Sequence, residues 1–202
     1  MSVVLVDYGA GNLRSLRAAF ERVGASVRVS ADPGELAGAA LVVIPGVGAA
    51  RHAMRELHAR GLVDAIDAAL KSGARLFGVC VGLQLLFEHS VEGDTTCLGL
   101  LPGRITRLEG ARRLPHMGWN DVEPEADHPL CAGLPAPCYF AHSYAATEVE
   151  DELVLARTRV EHGSFASLVG RGAVAGMQFH PERSSAAGRQ ALRSVLRWAD
   201  AA

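Results

Sequence analysis

The chain has 202 residues, of which 49% are hydrophobic and 21% are charged. This composition is typical of globular proteins and excludes a disordered chain, and the length suffices for a core of its own. With 20 basic and 22 acidic residues the net charge is -2, which excludes a broad cationic surface for nucleic acid. We therefore expect a single domain over residues 1–202.

The amino terminus and the cysteines indicate a cytoplasmic protein. The first residues, MSVVLVDYGAGN, hold a short apolar run with no basic segment before it, which predicts a strand instead of a signal peptide. No apolar run approaches the roughly 18 residues that a membrane span requires. The cysteines form no CxxC pair, so free thiols are expected, with Cys97, Cys131 and Cys138 as small buried or half-buried hydrophobes.

Strands and helices alternate in the first half of the chain. Apolar runs predict strands at residues 2–6, 26–30, 41–44 and 75–79. Helical spacing predicts helices at residues 13–23, 49–60, 62–71 and 81–88, and Asp32-Pro33 opens a short helix or turn. Because unbroken apolar strands are buried on both faces, this order predicts a parallel sheet between helices, with ligands bound at the carboxyl ends of its strands.

The pattern changes from about Gly93 onward. Short strand-like segments between Gly, Pro and charged turns predict antiparallel additions to the sheet, at residues 103–109, 138–144, 152–160, 165–170 and 173–180. Helical spacing returns at residues 186–199 and predicts a final helix. The predicted fold class is therefore α/β, with a mostly parallel central sheet flanked by helices and antiparallel additions in the C-terminal half.

A predicted strand turns directly into a predicted helix at Cys80, between Gly78 and Gly82. This is the pattern of a nucleophile elbow, in which a tight turn presents a strained nucleophile and small neighbours let backbone and substrate approach. A thiol in this position faces a helix amino terminus, which favours the reactive thiolate. The pattern GxCxG is weak by itself, because a Gly-flanked Cys at a strand end also serves packing alone.

His180 follows the strand-like segment MQF and precedes Pro181 and Glu182. If strand geometry continues through Pro181, the side chains of His180 and Glu182 share one face, and the carboxylate can orient the imidazole. Cys80, His180 and Glu182 would then form a catalytic triad. An isolated HPE segment is equally compatible with a solvated surface loop, so its combination with the elbow is what favours catalysis.

Attack of a thiolate on a carboxamide creates an oxyanion, which requires positioned N–H donors. One candidate donor is the amide of Val81, directly after the nucleophile. The other is the turn formed by Gly46, Val47 and Gly48, which leaves the strand at residues 41–44. A PGVG turn is common, and only the triad gives it a catalytic interpretation.

Several segments resemble the class I glutamine amidotransferases. GVCVGLQ and FHPERS are similar to the nucleophile and HPE motifs of that family, and VDYGAGN, IPGVGA, LPHMGWN and YFAHSY extend the resemblance along nearly the whole chain. LPHMGWN together with DYGAGN is specific to the histidine-pathway branch, and PGVG in place of a PGGP-like turn indicates the same branch. The resemblance implies a flavodoxin-like fold of three layers.

The resemblance implies a role for each matching residue. Cys80 attacks the side-chain amide of L-glutamine and forms a γ-glutamyl thioester, His180 transfers the protons, and Glu182 orients His180. The groups implied to hold glutamine are Gln84, His142, Ser143 and Tyr144. No cofactor or metal is implied, and His116 and His142 have no further ligand at zinc-like spacing.

The resemblance also implies a partner. Ammonia would pass, protected from solvent, to a (β/α)8-barrel cyclase subunit that makes imidazole glycerol phosphate and aminoimidazole carboxamide ribotide in L-histidine biosynthesis. In the family the oxyanion turn is unproductive until this partner is bound and loaded. The residues expected to face the barrel in a heterodimer are Asn12, Pro115, Met117, Trp119, Tyr139 and Arg183.

The roles of two of these partner-facing residues, Trp119 and Arg183, remain open. Trp119 lies in a segment bounded by Pro and Gly, interpreted as a loop, and suits an interface anchor; the alternative is that it caps the local core. Arg183 stands where the family commonly has a lysine that pairs with an acidic residue of the barrel. A guanidinium makes that ion pair with a different geometry, which leaves the gating of the interface open.

Three other functions remain open at the level of sequence. An amidotransferase that feeds anthranilate, pyridoxal phosphate or nucleotide synthesis accounts for the triad but not for PHMGWN. A catalytically silent binding module is disfavoured by the intact Cys, His and Glu set. A cysteine peptidase would need its acid elsewhere, because an acid two residues after the histidine is the amidotransferase pattern.

Overall fold

A computed structural model describes residues 2–201. Its strands are β1 (Ser2–Val6), β2 (Ser26–Ser30), β3 (Leu41–Ile44), β4 (Arg75–Val79), β5 (His89–Ser90), β6 (Thr95–Thr96), β7 (Arg104–Arg107), β8 (His116–Pro124), β9 (Ala136–His142), β10 (Tyr144–Glu148), β11 (Val154–Val160), β12 (Gly163–Arg171) and β13 (Val174–Met177). Its α-helices are α1 (Leu13–Arg22), α2 (Ala50–Ala59), α3 (Leu62–Lys71), α4 (Val81–Gln84) and α5 (Ser185–Asp200). Single 3-10 turns cover Pro33–Leu36, Pro129–Cys131, Asp151–Leu153 and Pro181–Arg183.

The centre of the sheet is parallel, in the order β2-β1-β3-β4-β13. Every residue of β3 and β13 is buried, as expected for strands covered on both faces. Helix α1 packs against α5, and α2 packs against α3. Because the crossovers from β1 to β2 and from β3 to β4 run in opposite directions along the sheet, their right-handedness places the two helix pairs on opposite faces. The predicted parallel sheet between helices is confirmed.

The second half of the chain extends this sheet with antiparallel pairings. β12 pairs antiparallel with β13, β10 with β12, and β7 with β10. β11 pairs with both β12 and β8, and β8 pairs with β9, so a ribbon of strands projects beside the central sheet. The predicted antiparallel additions are confirmed, and the final helix begins one position before the predicted Ala186.

Helix α4 is shorter than predicted, because it ends at Gln84 instead of Glu88. The carbonyls of Leu85, Leu86 and Phe87 do not continue the helix. They accept hydrogen bonds from the amides of the following loop, at Leu98, Gly99, Leu100 and Leu101. The three residues whose carbonyls accept these bonds are fully buried. Apolar burial and bonds to the returning loop therefore take the place of further helical turns.

Residues 116–124 form strand β8 where the sequence indicated a loop, so that expectation was wrong. The strand is antiparallel to β9, from His116 opposite His142 to Val122 opposite Ala136. Trp119 is 55% exposed on the outward face of this ribbon. It therefore does not cap the local core.

Candidate active site

The candidate site lies at the carboxyl ends of the adjacent parallel strands β1, β3, β4 and β13. Tyr8 follows β1, the turn 45–48 follows β3, Cys80 follows β4, and His180 follows β13. Parallel strands bring their carboxyl ends to one edge of the sheet, so residues far apart in sequence meet there. The sequence prediction placed the site at this edge.

Cys80 occupies a strained turn between β4 and α4. Its φ of 53° and ψ of -110° are rare for a residue with a side chain, as expected for a nucleophile elbow. The backbone amide of Cys80 donates to the carbonyl of Met177 at 2.8 Å, which ties the elbow to β13. The residue is 2% exposed, so its sulfur reacts only within the cleft described below.

Three glycines allow the strand ends around the elbow to approach each other. A methyl group on Gly82 would collide with the carbonyl of Ile44 at the end of β3. One on Gly46 would collide with Val81 and Gly82, and one on Gly78 would collide with the backbone at Gly82. The close approach brings the turn of Gly46, Val47 and Gly48 against Val81, so the two predicted sources of oxyanion donors are neighbours.

His180 and Glu182 are in contact, although not by the predicted geometry. The Nδ1 atom of His180 lies 3.0 Å from Oε1 of Glu182. The expectation that strand geometry continues through Pro181 was wrong, because Pro181–Arg183 forms a 3-10 turn. The hydroxyl of Ser184 donates to the carbonyl of His180 at 2.6 Å and closes that turn. The tight turn achieves the pairing that an extended strand was expected to provide.

The surroundings favour a charged imidazole beside a charged carboxylate. Burial by itself lowers the pKa of His180, but hydrogen bonds to Cys80 and Glu182 outweigh it and raise this pKa to about 10. Burial by itself raises the pKa of Glu182, but hydrogen bonds from His180 and Asn12 lower it below its ordinary value. The Asn12 bond is 3.0 Å long and reaches the same oxygen that His180 contacts. Asn12, predicted to face a partner, is therefore bound to Glu182, the acid of the candidate triad.

The predicted glutamine-holding residues come together around one carbonyl group. The Nε2 atom of Gln84 donates to the carbonyl of Tyr144 at 2.8 Å, and Nδ1 of His142 donates to the same oxygen at 2.9 Å. Burial lowers the pKa of His142 to about 3, so this histidine is neutral. The second N–H of Gln84 donates to Oε1 of Gln178 at 3.2 Å. Gln84 therefore has only its side-chain oxygen left for a ligand.

A cleft of about 400 Å³ joins these groups. Cys80, His180 and Gln84 line it, together with Val47, Gly48 and Val81 of the candidate oxyanion site and Ser143 of the predicted glutamine-holding set. The cleft also holds two charges of opposite sign, Glu92 and Arg183. Its size and its mixed polarity suit a small zwitterion such as an amino acid.

The comparisons with known proteins agree with this geometry. The sequence model of the family described as "Glutamine amidotransferase class-I" matches residues 4–196. The chain belongs to the class I glutamine amidotransferases. It is 46% identical to the imidazole glycerol phosphate synthase subunit HisH of Xanthomonas axonopodis pv. citri, over 96% of each chain. It is 47% identical to the HisH subunit of Symbiobacterium thermophilum, over 97% of this chain and 92% of that protein.

Solved structures show the same fold at lower identity. A crystal structure of a glutamine amidotransferase matches with a TM-score of 0.78 and 23% identity, over 98% of each chain. A structure of PurLQS from Thermotoga maritima matches with a TM-score of 0.76 and 22% identity, over 98% of this chain and 97% of the matched chain. At this identity the likeness establishes the architecture, which is that of class I amidotransferases.

Three residues of this amidotransferase reach the site without having been predicted. Gln178 is fully buried, with Nε2 3.6 Å from the sulfur of Cys80. Tyr8 donates its hydroxyl to the carbonyl of Pro45 at 2.7 Å, and burial raises its pKa. Glu92 accepts from the amide of Ala50 at 2.8 Å. Tyr8 lies inside the quoted segment VDYGAGN, and Gln178 lies in the strand-like segment MQF, whereas the turn that carries Glu92 gave no sequence signal.

Most of the predicted partner-facing residues lie together beside the mouth of the cleft. The guanidinium of Arg183 stacks 4.1 Å above the ring of Tyr139, and Tyr139 packs edge-on against Trp119 with ring centroids 6.2 Å apart. Met117 is 63% exposed, and Pro115 lies on the rim of the cleft. We refer to these five residues as the aromatic patch.

The described part of this amidotransferase, residues 2–201, also gives two negative findings. It contains no cluster of three His, Cys, Asp or Glu side chains that could hold a metal ion. Over the same residues, the helices are too short or too polar to cross a bilayer.

Proposed function

We propose that this chain is the glutaminase subunit of an imidazole glycerol phosphate synthase, and that it hydrolyses L-glutamine to glutamate and ammonia. The observation that carries this proposal is the buried arrangement in which His180 contacts Glu182 at 3.0 Å and lines one cleft with Cys80. The names of the HisH relatives, which are about 46% identical over nearly the whole chain, support the choice of pathway.

Each residue has one role in the proposed reaction. The thiolate of Cys80 attacks the side-chain carbonyl carbon of glutamine, and the oxygen takes the negative charge. The amides of Val81 and of the Gly46–Gly48 turn stabilise that oxyanion. His180 gives its proton to the departing ammonia, which leaves a γ-glutamyl thioester. His180 then takes a proton from water, whose oxygen attacks the thioester and releases glutamate. Glu182 stabilises the imidazolium in both steps.

The cleft supplies groups suited to the two ends of glutamine. Glu92 offers one carboxylate oxygen to the α-ammonium, because its other oxygen already accepts from Ala50. Ser143 and the side-chain oxygen of Gln84 are further polar groups in reach of a bound amino acid. Glu92 thus joins the glutamine-binding residues expected from the sequence.

The proposed partner is a (β/α)8-barrel cyclase subunit that uses the ammonia in L-histidine biosynthesis. The aromatic patch beside the cleft mouth is the surface that we assign to this contact. The exposure of Val47 and Gly48 on the open side of the turn supports conditional activity, because partner binding can reorder an exposed turn. We further propose that the chain acts as one amidotransferase domain in the cytoplasm, in a heterodimer.

Replacement of Cys80 by Ala tests the proposal. We expect Cys80→Ala to abolish synthesis with glutamine and to leave synthesis with added ammonium salts intact, because only the first reaction uses the thiol. The measurement is formation of both cyclase products by the reconstituted complex, with glutamate release followed with and without the cyclase and its nucleotide. Equal loss of both activities, or glutamate release that survives the substitution, would contradict the proposal.

A further inference from the structure

Gln178 lies where the end of β13 passes the elbow. The carbonyl of Met177 accepts from the amide of Cys80, and His180 lines the same cleft as Cys80. Between Met177 and His180, Nε2 of Gln178 lies 3.6 Å from the sulfur of Cys80. One short segment therefore bonds to the backbone of the nucleophile and also places two side chains beside it.

The orientation of the Gln178 amide follows from its neighbours. The carbonyl of Tyr144 can only accept, so the atom of Gln84 that contacts it at 2.8 Å must be the nitrogen. The two N–H groups of that nitrogen reach Tyr144 and Gln178, so the atom of Gln178 that faces Gln84 at 3.2 Å must be the oxygen. The nitrogen of Gln178 then faces Cys80, and the sulfur receives a donor.

We infer that Gln178 is a catalytic residue whose side-chain amide donates a hydrogen bond to the sulfur of Cys80 and stabilises its thiolate. The inference rests on the proposed function in one respect, since it takes Cys80 as the nucleophile. A donor is needed at this place because the sulfur is 2% exposed and water contributes little to its solvation. An N–H bond to a charged acceptor is stronger than one to a neutral acceptor, so the bond favours the thiolate over the thiol.

A purely structural role for Gln178 would use different atoms of its side chain. Gln178 is 0% exposed between the buried side chains of Met177 and Phe179. An apolar residue would fill this space without the cost of burying an amide. The remaining structural task is to accept from Gln84, and this task needs only the oxygen of Gln178. The two roles are separable, because one uses the nitrogen and the other the oxygen.

Other titratable or charged groups also act on the thiolate and are unchanged in the test. The groups nearest to it or to its histidine, from every packed element, are Tyr8, Glu92, His142, His180, Glu182 and Arg183. Each contributes equally in the parent and in a Gln178 variant. A difference between their pH profiles therefore reports the amide.

The experiment is alkylation of the purified chain by iodoacetamide, with the rate at Cys80 measured from pH 5 to 10 by mass spectrometry of the labelled peptide. We expect Gln178→Met, which keeps the length of the side chain and removes the donor, to raise the pH midpoint of the rate by about one unit. Below the midpoint the rate would fall about tenfold. Ser167→Ala is the matched control, because Ser167 is equally buried on the adjacent strand and bonds to Ala156 instead of Cys80.

Gln178→Leu is the second variant, because its apolar side chain suits the same buried space and offers the sulfur neither a donor nor a charge. Its midpoint should rise as in Gln178→Met. Midpoints in Gln178→Met and Gln178→Leu equal to the parent, or a Ser167→Ala shift as large as that of Gln178→Met, overturn the inference. If the parent itself shows no faster labelling at Cys80 than at an unfolded peptide thiol, the proposed function fails instead. Circular dichroism on each variant confirms that it is folded.

Discussion

At the scale of single residues, the charged pair of the site is His180 and Glu182, and Asn12 donates a hydrogen bond to the carboxylate of that pair. Glu182 accepts from both neighbours through one oxygen, and the other oxygen is buried without a partner in the described residues. The unpartnered buried oxygen by itself costs stability, whereas the low dielectric around the pair strengthens the attraction between the carboxylate and the imidazolium. The charge of His180 is therefore coupled to the stability of the fold.

The pair predicts how stability depends on pH. The pKa of His180 is raised to about 10 from about 6.5, so its contribution is complete below pH 6.5 and is lost as pH rises toward 10. We expect the free energy of unfolding to fall across this interval by up to about 1.4 kcal/mol per pH unit, and to fall less in His180→Gln.

Urea unfolding at several pH values measures this dependence. Exposed His162 supplies the control, because His162→Gln should leave the parent profile unchanged. Identical pH profiles for the parent and His180→Gln would show that the histidine is not held in its charged form.

At the scale of elements, the elbow depends on the contact between the end of β3 and the start of α4. We expect Gly82→Ala to destabilise the protein by at least about 2 kcal/mol, because its methyl group meets the carbonyl of Ile44. Gly34→Ala is the control, since Gly34 is exposed and an added methyl group makes only an ordinary contact, 3.4 Å from Asp32. Thermal unfolding of both variants measures the effect. Equal melting temperatures would show that the close approach of Gly82 to Ile44 is not required for stability.

The elements that the sequence predicts well are those with unbroken apolar runs. β3, β4 and α3 begin and end at the predicted residues, because burial on both faces or on one stripe determines them locally. The end of helix α4 and the strand β8 were predicted wrongly, because both are determined by contacts with distant segments of the chain. The carbonyls after Gln84 accept from a returning loop, and residues 116–122 pair with β9. Neither partner is visible in the local sequence pattern.

The site shows the same division between local and tertiary signals. Cys80, His180 and Glu182 were predicted because motifs mark them, and the structure brings them together. The use of both Gln84 N–H groups within the protein, and the position of Glu92, depend on contacts between distant segments. No spacing rule in one sequence encodes such contacts.

At the scale of the whole molecule, the aromatic patch is the surface that we expect to determine assembly. Trp119 is a large, exposed side chain supported by Tyr139, which suits an anchor in an interface. We expect Trp119→Ala to weaken binding to the cyclase by about 2 kcal/mol or more, which corresponds to a rise of about 30-fold in Kd. Titration calorimetry with the purified cyclase measures the change.

The control for Trp119→Ala is Arg171→Ala. Arg171 is exposed opposite Val174, at the amino end of β13 and therefore at the other edge of the sheet from the site. Its replacement should leave Kd unchanged. An unaltered Kd in Trp119→Ala would show that the cyclase does not bind at the aromatic patch.

The placement of β13 has a consequence for the order in which the enzyme acquires reactivity during synthesis. β13 lies between β4 and β12, and Gln178 and His180 follow it directly in the chain. In a nascent chain on the ribosome, Cys80 is translated well before Gln178 and His180, the residues that we propose activate it. On that proposal, the thiol becomes reactive only when β13 inserts between β4 and β12, and a chain that ends before β13 carries a less reactive thiol.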